Sequence, residues 1–119
     1  MPATTDFEND GICVLRISGV LKQTEFAAQQ AAIARTIDEG AKPRLLAIAK
    51  DFLGWERGTD WNDLDFMFKY GDEIARIAIV AEREWEPKAL AFAGAGVREA
   101  QVRFFSPDAE RQAREWLLE

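Results

Sequence analysis

The chain has 119 residues, 48% of them hydrophobic and 30% charged, which is the length of one domain and a composition that buries a core without a disulfide or metal staple. Its formal net charge of -6 argues against a nucleic-acid partner, because neutralising phosphates needs a basic face. With no histidine and a single cysteine, the chain has no internal disulfide, no histidine metal site and no Ser-His or Cys-His nucleophile pair.

Thr4–Glu8 and Ile12–Ser18 read as two strands around Asn9-Asp10-Gly11, since Asp-Gly between apolar-rich runs is a hairpin signal. The second run is apolar on nearly both faces, which places it inside a sheet. Gly19 follows. A first helix is predicted from an N-cap at Thr24 to Glu39, with Phe26, Ile33 and Ile37 on one stripe, Gly40 as its stop and Pro43 against re-entry. Arg44–Lys50 reads as a buried strand, and Asp51–Gly58 as a long loop carrying Phe52, Leu53 and Trp55. A second helix follows a cap at Thr59 or Asp60, with Trp61, Leu64, Met67 and Phe68 on one face and Gly71 at its end. Arg76–Ala81 is another buried strand. A third helix starts near Glu86-Pro87, carries Leu90 and Phe92, and ends at Gly94 or Gly96. Gln101–Phe105 is the last strand, and Ser106-Pro107-Asp108 caps a fourth helix with Ala109, Ala113, Trp116 and Leu117 as its apolar stripe.

The resulting order is β-β-α-β-α-β-α-β-α. Strands alternating with helices imply right-handed βαβ units, and hence an α/β fold with a single mixed, mostly parallel sheet of about five strands and about four helices. The expectation is one domain over residues 1–119. No apolar run is long enough for a membrane span, no basic-then-apolar leader precedes the domain, and the single cysteine fits a reducing compartment.

The order of elements and several local phrases resemble the STAS-domain-like proteins of the SpoIIAA-like family. The phrases are Leu15-Arg16-Ile17-Ser18-Gly19, Phe52-Leu53-Gly54-Trp55, Trp61-Asn62-Asp63-Leu64, Arg76-Ile77-Ala78-Ile79-Val80 with Trp85 shortly after, and Val102-Arg103-Phe104-Phe105 leading to Trp116-Leu117. They span nearly the whole chain. The resemblance implies a bacterial cytoplasmic domain with strands in roughly sequential order and an antiparallel first strand, acting by binding and not by catalysis. In the family's anti-sigma-factor antagonists a phosphorylatable serine opens the second helix. Here that junction reads Glu56-Arg57-Gly58-Thr59-Asp60-Trp61, with Thr59 as its only hydroxyl. Thr59 reads first as an ordinary N-cap and, in the alternative, as a phosphosite. The branch of the family without the serine is similar in shape to lipid-transfer domains, which implies apolar ligands.

The residues themselves point to the carboxyl ends of the central strands, where ligands enter open α/β sheets. Phe52 and Trp55 follow the third strand and Trp85 follows the fourth. Trp61 and Phe66 of the second helix reach the same mouth. Such rings line an apolar pocket or close the core over the sheet end. Arg57, Arg83 and Lys88 would stand at the rim of a pocket. The acidic run Asp51, Glu56, Asp60, Asp63 and Asp65 reads as a solvated face, since its spacing matches no calcium loop. Cys13 reads as a small buried hydrophobe, and Arg16, Arg76 and Arg103 as edge or rim charges that blunt strand pairing or, in the alternative, as a clamp for an anionic head group. No receiver-type acidic pair, phosphate-cradling glycine loop or nucleophile elbow is present. We therefore expect a non-enzymatic module with no metal and no cofactor, binding an apolar or lipid-like molecule. The alternative is a STAS-type protein-interaction domain. A homodimer stays open.

Overall fold

The computed structural model describes residues 3–8, 10–58, 73–93 and 101–119. The predicted second helix, with Thr59, Trp61 and Phe66, and the predicted stops at Gly94 and Gly96 lie outside the described residues.

The Asp-Gly turn forms as its chemistry requires. Gly11 adopts φ +88°, and the Asp10 carboxylate accepts the Ile12 N–H at 3.1 Å, an Asx-type turn. It joins β1 (Ala3–Phe7) to β2 (Ile12–Leu21) in an antiparallel pair, with Ala3 opposite Ile17 and Phe7 opposite Cys13. The remaining strands, β3 (Arg44–Trp55), β4 (Arg76–Val80) and β5 (Gln101–Phe105), are parallel to β2 and to one another. The sheet order is β1-β2-β3-β4-β5. Helix α1 (Gln23–Asp38) crosses from β2 to β3, α2 (Glu86–Phe92) lies between β4 and β5, and α3 (Glu110–Leu117) follows β5.

Both faces of the sheet are covered, which is why its central strands read as continuous apolar runs. On one face Cys13, Ile77 and Ile79 pack with Ile33 and Ile37 of α1 and Leu90 of α2. On the other, Ile12, Val14, Leu46, Ala78 and Val80 pack with Ala113, Trp116 and Leu117 of α3. Arg76, expected as an edge charge, lies on the interior strand β4 and instead helps hold α3 in place, whereas Arg103 is exposed on the edge strand β5, as expected, while its head also reaches the ring of α3. The Arg76 guanidinium lies 5.0 Å from the centre of the Trp116 ring and donates to the Trp116 carbonyl at 2.6 Å. It thus satisfies one of the last carbonyls of a helix, which have no partner within it. Arg103 lies 5.4 Å from the Trp116 ring and 5.1 Å from that of Phe105. An arginine on a covered sheet face is useful there because its planar head stacks on a ring while donating sideways. Arg16 is exposed. On the opposite side of α3, Arg114 reaches Glu8 beside the β1–β2 turn at 2.6 Å and Glu110 at 3.0 Å.

Three boundaries differ from the sequence reading. Helix α1 begins at Gln23 after Lys22, and Thr24 does not cap it; the Gln23 N–H is instead satisfied by Glu56 Oε1 at 3.2 Å. Residues 51–55, expected as a loop, continue β3, and β2 runs on to Leu21 beside them. Glycine and aspartate punctuate bulged strands as well as loops. Here the register shifts around Gly19, which has φ +65°, and Asp51 has φ +55°. Ser106 precedes a 3-10 turn, Pro107–Ala109, and its hydroxyl donates to the Asp108 carboxylate at 2.7 Å, so it does not cap a backbone N–H.

Cys13 is 1% exposed, and burial first, then the nearby Asp6 charge, pushes its thiol from 9.0 up to about 12. Below pH 9 the thiol is neutral in folded and unfolded chains alike, so its contribution is fully present. Between 9 and about 12 the unfolded chain ionises first, and stability falls by about 1.4 kcal/mol per pH unit from this group. Denaturant melts of the wild type and Cys13→Ala across that window should show the steeper loss in the wild type. Parallel pH profiles would contradict the burial.

Candidate functional site: an aromatic cluster at the strand ends

Beyond Ile48, which pairs with Val80, β3 has no partner on the β4 side among the described residues and runs on beside β2. The two form a parallel ribbon whose last pairs are Gly19 with Phe52, Val20 with Gly54 and Leu21 with Trp55. This ribbon, and not a loop, positions the aromatic residues. Strand geometry holds side chains more firmly than a loop does.

Phe52, Trp55 and Trp85 come together as expected. Phe52 packs edge-on against Trp55 at 5.1 Å and against Trp85 at 4.9 Å, and the two indoles are 5.9 Å apart at 75°. Such edge-to-face contacts suit the ring quadrupoles. Gly54 leaves room for this arrangement. Its φ is +109°, and a Cβ there would already sit 3.5 Å from the far edge of the Trp85 indole. Trp85 reaches that place from a single 3-10 turn, Arg83–Trp85, between β4 and α2.

Two further rings belong to the cluster and were missed as site residues. Phe92 lies 5.5 Å from Trp55, and Phe26 lies 5.2 Å from Phe92. Phe26 could have been inferred: a helix that follows a parallel strand starts at that strand's carboxyl end, so its first turn faces the neighbouring strand ends. For Phe92 the sequence holds no comparable signal. The cluster thus lies on the face of the sheet covered by α1 and α2. Phe26, Phe52, Trp55 and Trp85 are half-buried, and Phe92 is 37% exposed.

Two polar atoms in these elements are buried without a hydrogen-bond partner among the described residues: the Trp55 indole Nε1 and the Glu25 carboxylate Oε2. Glu25 precedes Phe26 in the first turn of α1. Of the expected rim cations, Arg83 is paired with Glu86 at 3.2 Å, and Arg57 and Lys88 are exposed.

A cavity of about 350 Å³ also opens at the strand ends, but on the other face, beside the start of α3. Ile48, Lys50, Asp51, Val80, Glu82 and Glu110 are among its lining residues, and none of the five rings is. This cavity is separate from the ring cluster, which turns toward α1 and α2, and both apolar and charged side chains line it. Among the described residues no three His, Cys, Asp or Glu side chains converge as metal ligands would, and no helix is long and apolar enough to cross a membrane.

A mixed five-stranded sheet in sequential order, antiparallel only at its first strand, with helices on both faces, defines a STAS-type α/β domain. The SpoIIAA-like family profile matches residues 12–118, and the chain belongs to that family. Among solved structures it is similar to an uncharacterised protein of the DUF3478 family with a SpoIIAA-like fold from Shewanella loihica PV-4. The two are 22% identical with a TM-score of 0.69, over 97% of this chain and 91% of the other. No curated protein matches the chain.

Proposed function

We propose that this domain acts by binding, without catalysis, and that the aromatic end of the β2–β3 ribbon holds an apolar small molecule. The observation that supports this reading is the half-buried cluster of Phe26, Phe52, Trp55, Trp85 and Phe92. The rings stand where α/β sheets take ligands, and they offer a large apolar area that is not sealed into the core. Binding would add contacts to rings that are already ordered, so little side-chain entropy is lost on association.

Titration with long-chain fatty acids tests the reading. Intrinsic tryptophan fluorescence should shift in a saturable manner, and Trp85→Ala should weaken binding at least about tenfold, as expected when a large buried contact is removed. The circular dichroism of the variant should stay that of the wild type. Unchanged fluorescence throughout the titration would remove the small-molecule reading.

A protein partner is the second reading, and the same ribbon carries the observation that favours it. Leu53 is 72% exposed and Val20 42% exposed, and large apolar side chains held outward on a rigid strand suit docking. A partner bound this way would be lost with Leu53→Lys, while fatty-acid titrations of that variant would match those of the wild type.

A further inference from the structure

We infer that the ligand of the aromatic end carries a hydrogen-bond acceptor, a carbonyl or carboxylate oxygen on an apolar body, and that the Trp55 indole N–H receives it. This inference rests on the small-molecule reading above and names the chemistry of its ligand. The indole nitrogen of Trp55 is buried and unpartnered among the described residues, although its ring is ordered by Phe52, Trp85 and Phe92. An indole can only donate. In water the free N–H would be satisfied, and leaving it unmade inside an apolar cluster is a standing penalty that native proteins rarely carry without a reason. A ligand oxygen removes that penalty and gains a hydrogen bond in surroundings of low polarity, where such bonds are strongest.

A purely hydrocarbon ligand leaves the penalty in place. The donor therefore selects among molecules of equal apolar bulk.

The experiment uses phenylbutyrate, its methyl ester and butylbenzene, which share one apolar body and differ in the acceptor. Calorimetric titrations compare the wild type with Trp55→Phe, which keeps a ring and deletes the donor. The acid and the ester should each lose about fivefold to tenfold or more in affinity in the variant, the usual effect of one hydrogen bond, while butylbenzene should be unchanged. In nitrogen–proton NMR spectra of the unmodified protein, the Trp55 indole proton should move downfield with the acid and ester and stay in place with butylbenzene. That second measurement needs no variant and so does not depend on how Trp55→Phe folds. Equal losses for all three compounds, or an indole proton that ignores the acceptor, would overturn the inference and leave apolar binding standing. Failure of all three to bind the wild type would overturn both.

Discussion

Trp116→Ala is expected to lower the stability of the domain by about 3–5 kcal/mol, the usual result of deleting a large buried aromatic side chain. For a domain of this size that is roughly 10–20 °C in Tm, a large part of the ~5–15 kcal/mol that separates folded from unfolded. Trp116 is 7% exposed and packs with Ile12, Leu46, Ala78 and Val80 on the sheet and with Leu117 beside it. Two guanidinium groups also lie over its ring, those of Arg76 at 5.0 Å and Arg103 at 5.4 Å. Removing the ring leaves a cavity under α3 and takes the stacking partner from both arginines. The bond from Arg76 to the Trp116 carbonyl involves the main chain and survives the substitution, so α3 should stay docked but weakly. Trp116→Phe keeps most of the apolar area and should lose distinctly less. Urea melts of the two variants decide the matter, and a loss below about 1 kcal/mol for alanine would show that α3 is not packed as described.

The second large effect belongs to Gly54. Its φ of +109° lies where side chains are strained whatever the space around them. Gly54→Ala isolates that strain, because the new Cβ would meet Trp85 at an ordinary 3.5 Å; the expected loss is about 1–3 kcal/mol. Gly54→Val adds branches where the Trp85 indole already lies in contact, and overpacking of this kind adds about 1–3 kcal/mol more. The valine variant should also push Trp85 away from Phe52 and change the tryptophan emission, whereas the alanine variant should leave the emission near that of the wild type. Alanine tolerated within about 0.5 kcal/mol would remove the argument from backbone strain.

Much of the fold was legible because it is written in local periodicity. The apolar runs at Arg44–Lys50 and Arg76–Ala81 announced strands covered on both faces, and β3 and β4 are interior strands of the sheet. Asp10-Gly11 announced the hairpin, and Gly40, at φ +101°, the end of α1. The family phrases implied an antiparallel first strand and sequential order, as found. The site was legible in part: Phe52, Trp55 and Trp85 were placed together from the rule that strand ends gather ligand residues, and they do meet.

What the sequence by itself determined was therefore where most of the strands and helices among the described residues lie and which of their faces are apolar, since both follow from residue spacing along the chain. Only the tertiary structure decided which group answers which need. The first turn of α1 is capped by Glu56, which stands 33 residues further along the chain, so no local motif could reveal it. Residues 51–55 became strand because β2 extends beside them, and a partner strand outweighs the turn preference of Asp51 and Gly54. Phe26 and Phe92 joined the ring cluster, and Arg76 left the role of a surface charge to bind the end of α3. In each case the deciding interaction joins residues far apart in the chain, and its energy depends on distance in space, which spacing along a sequence does not encode.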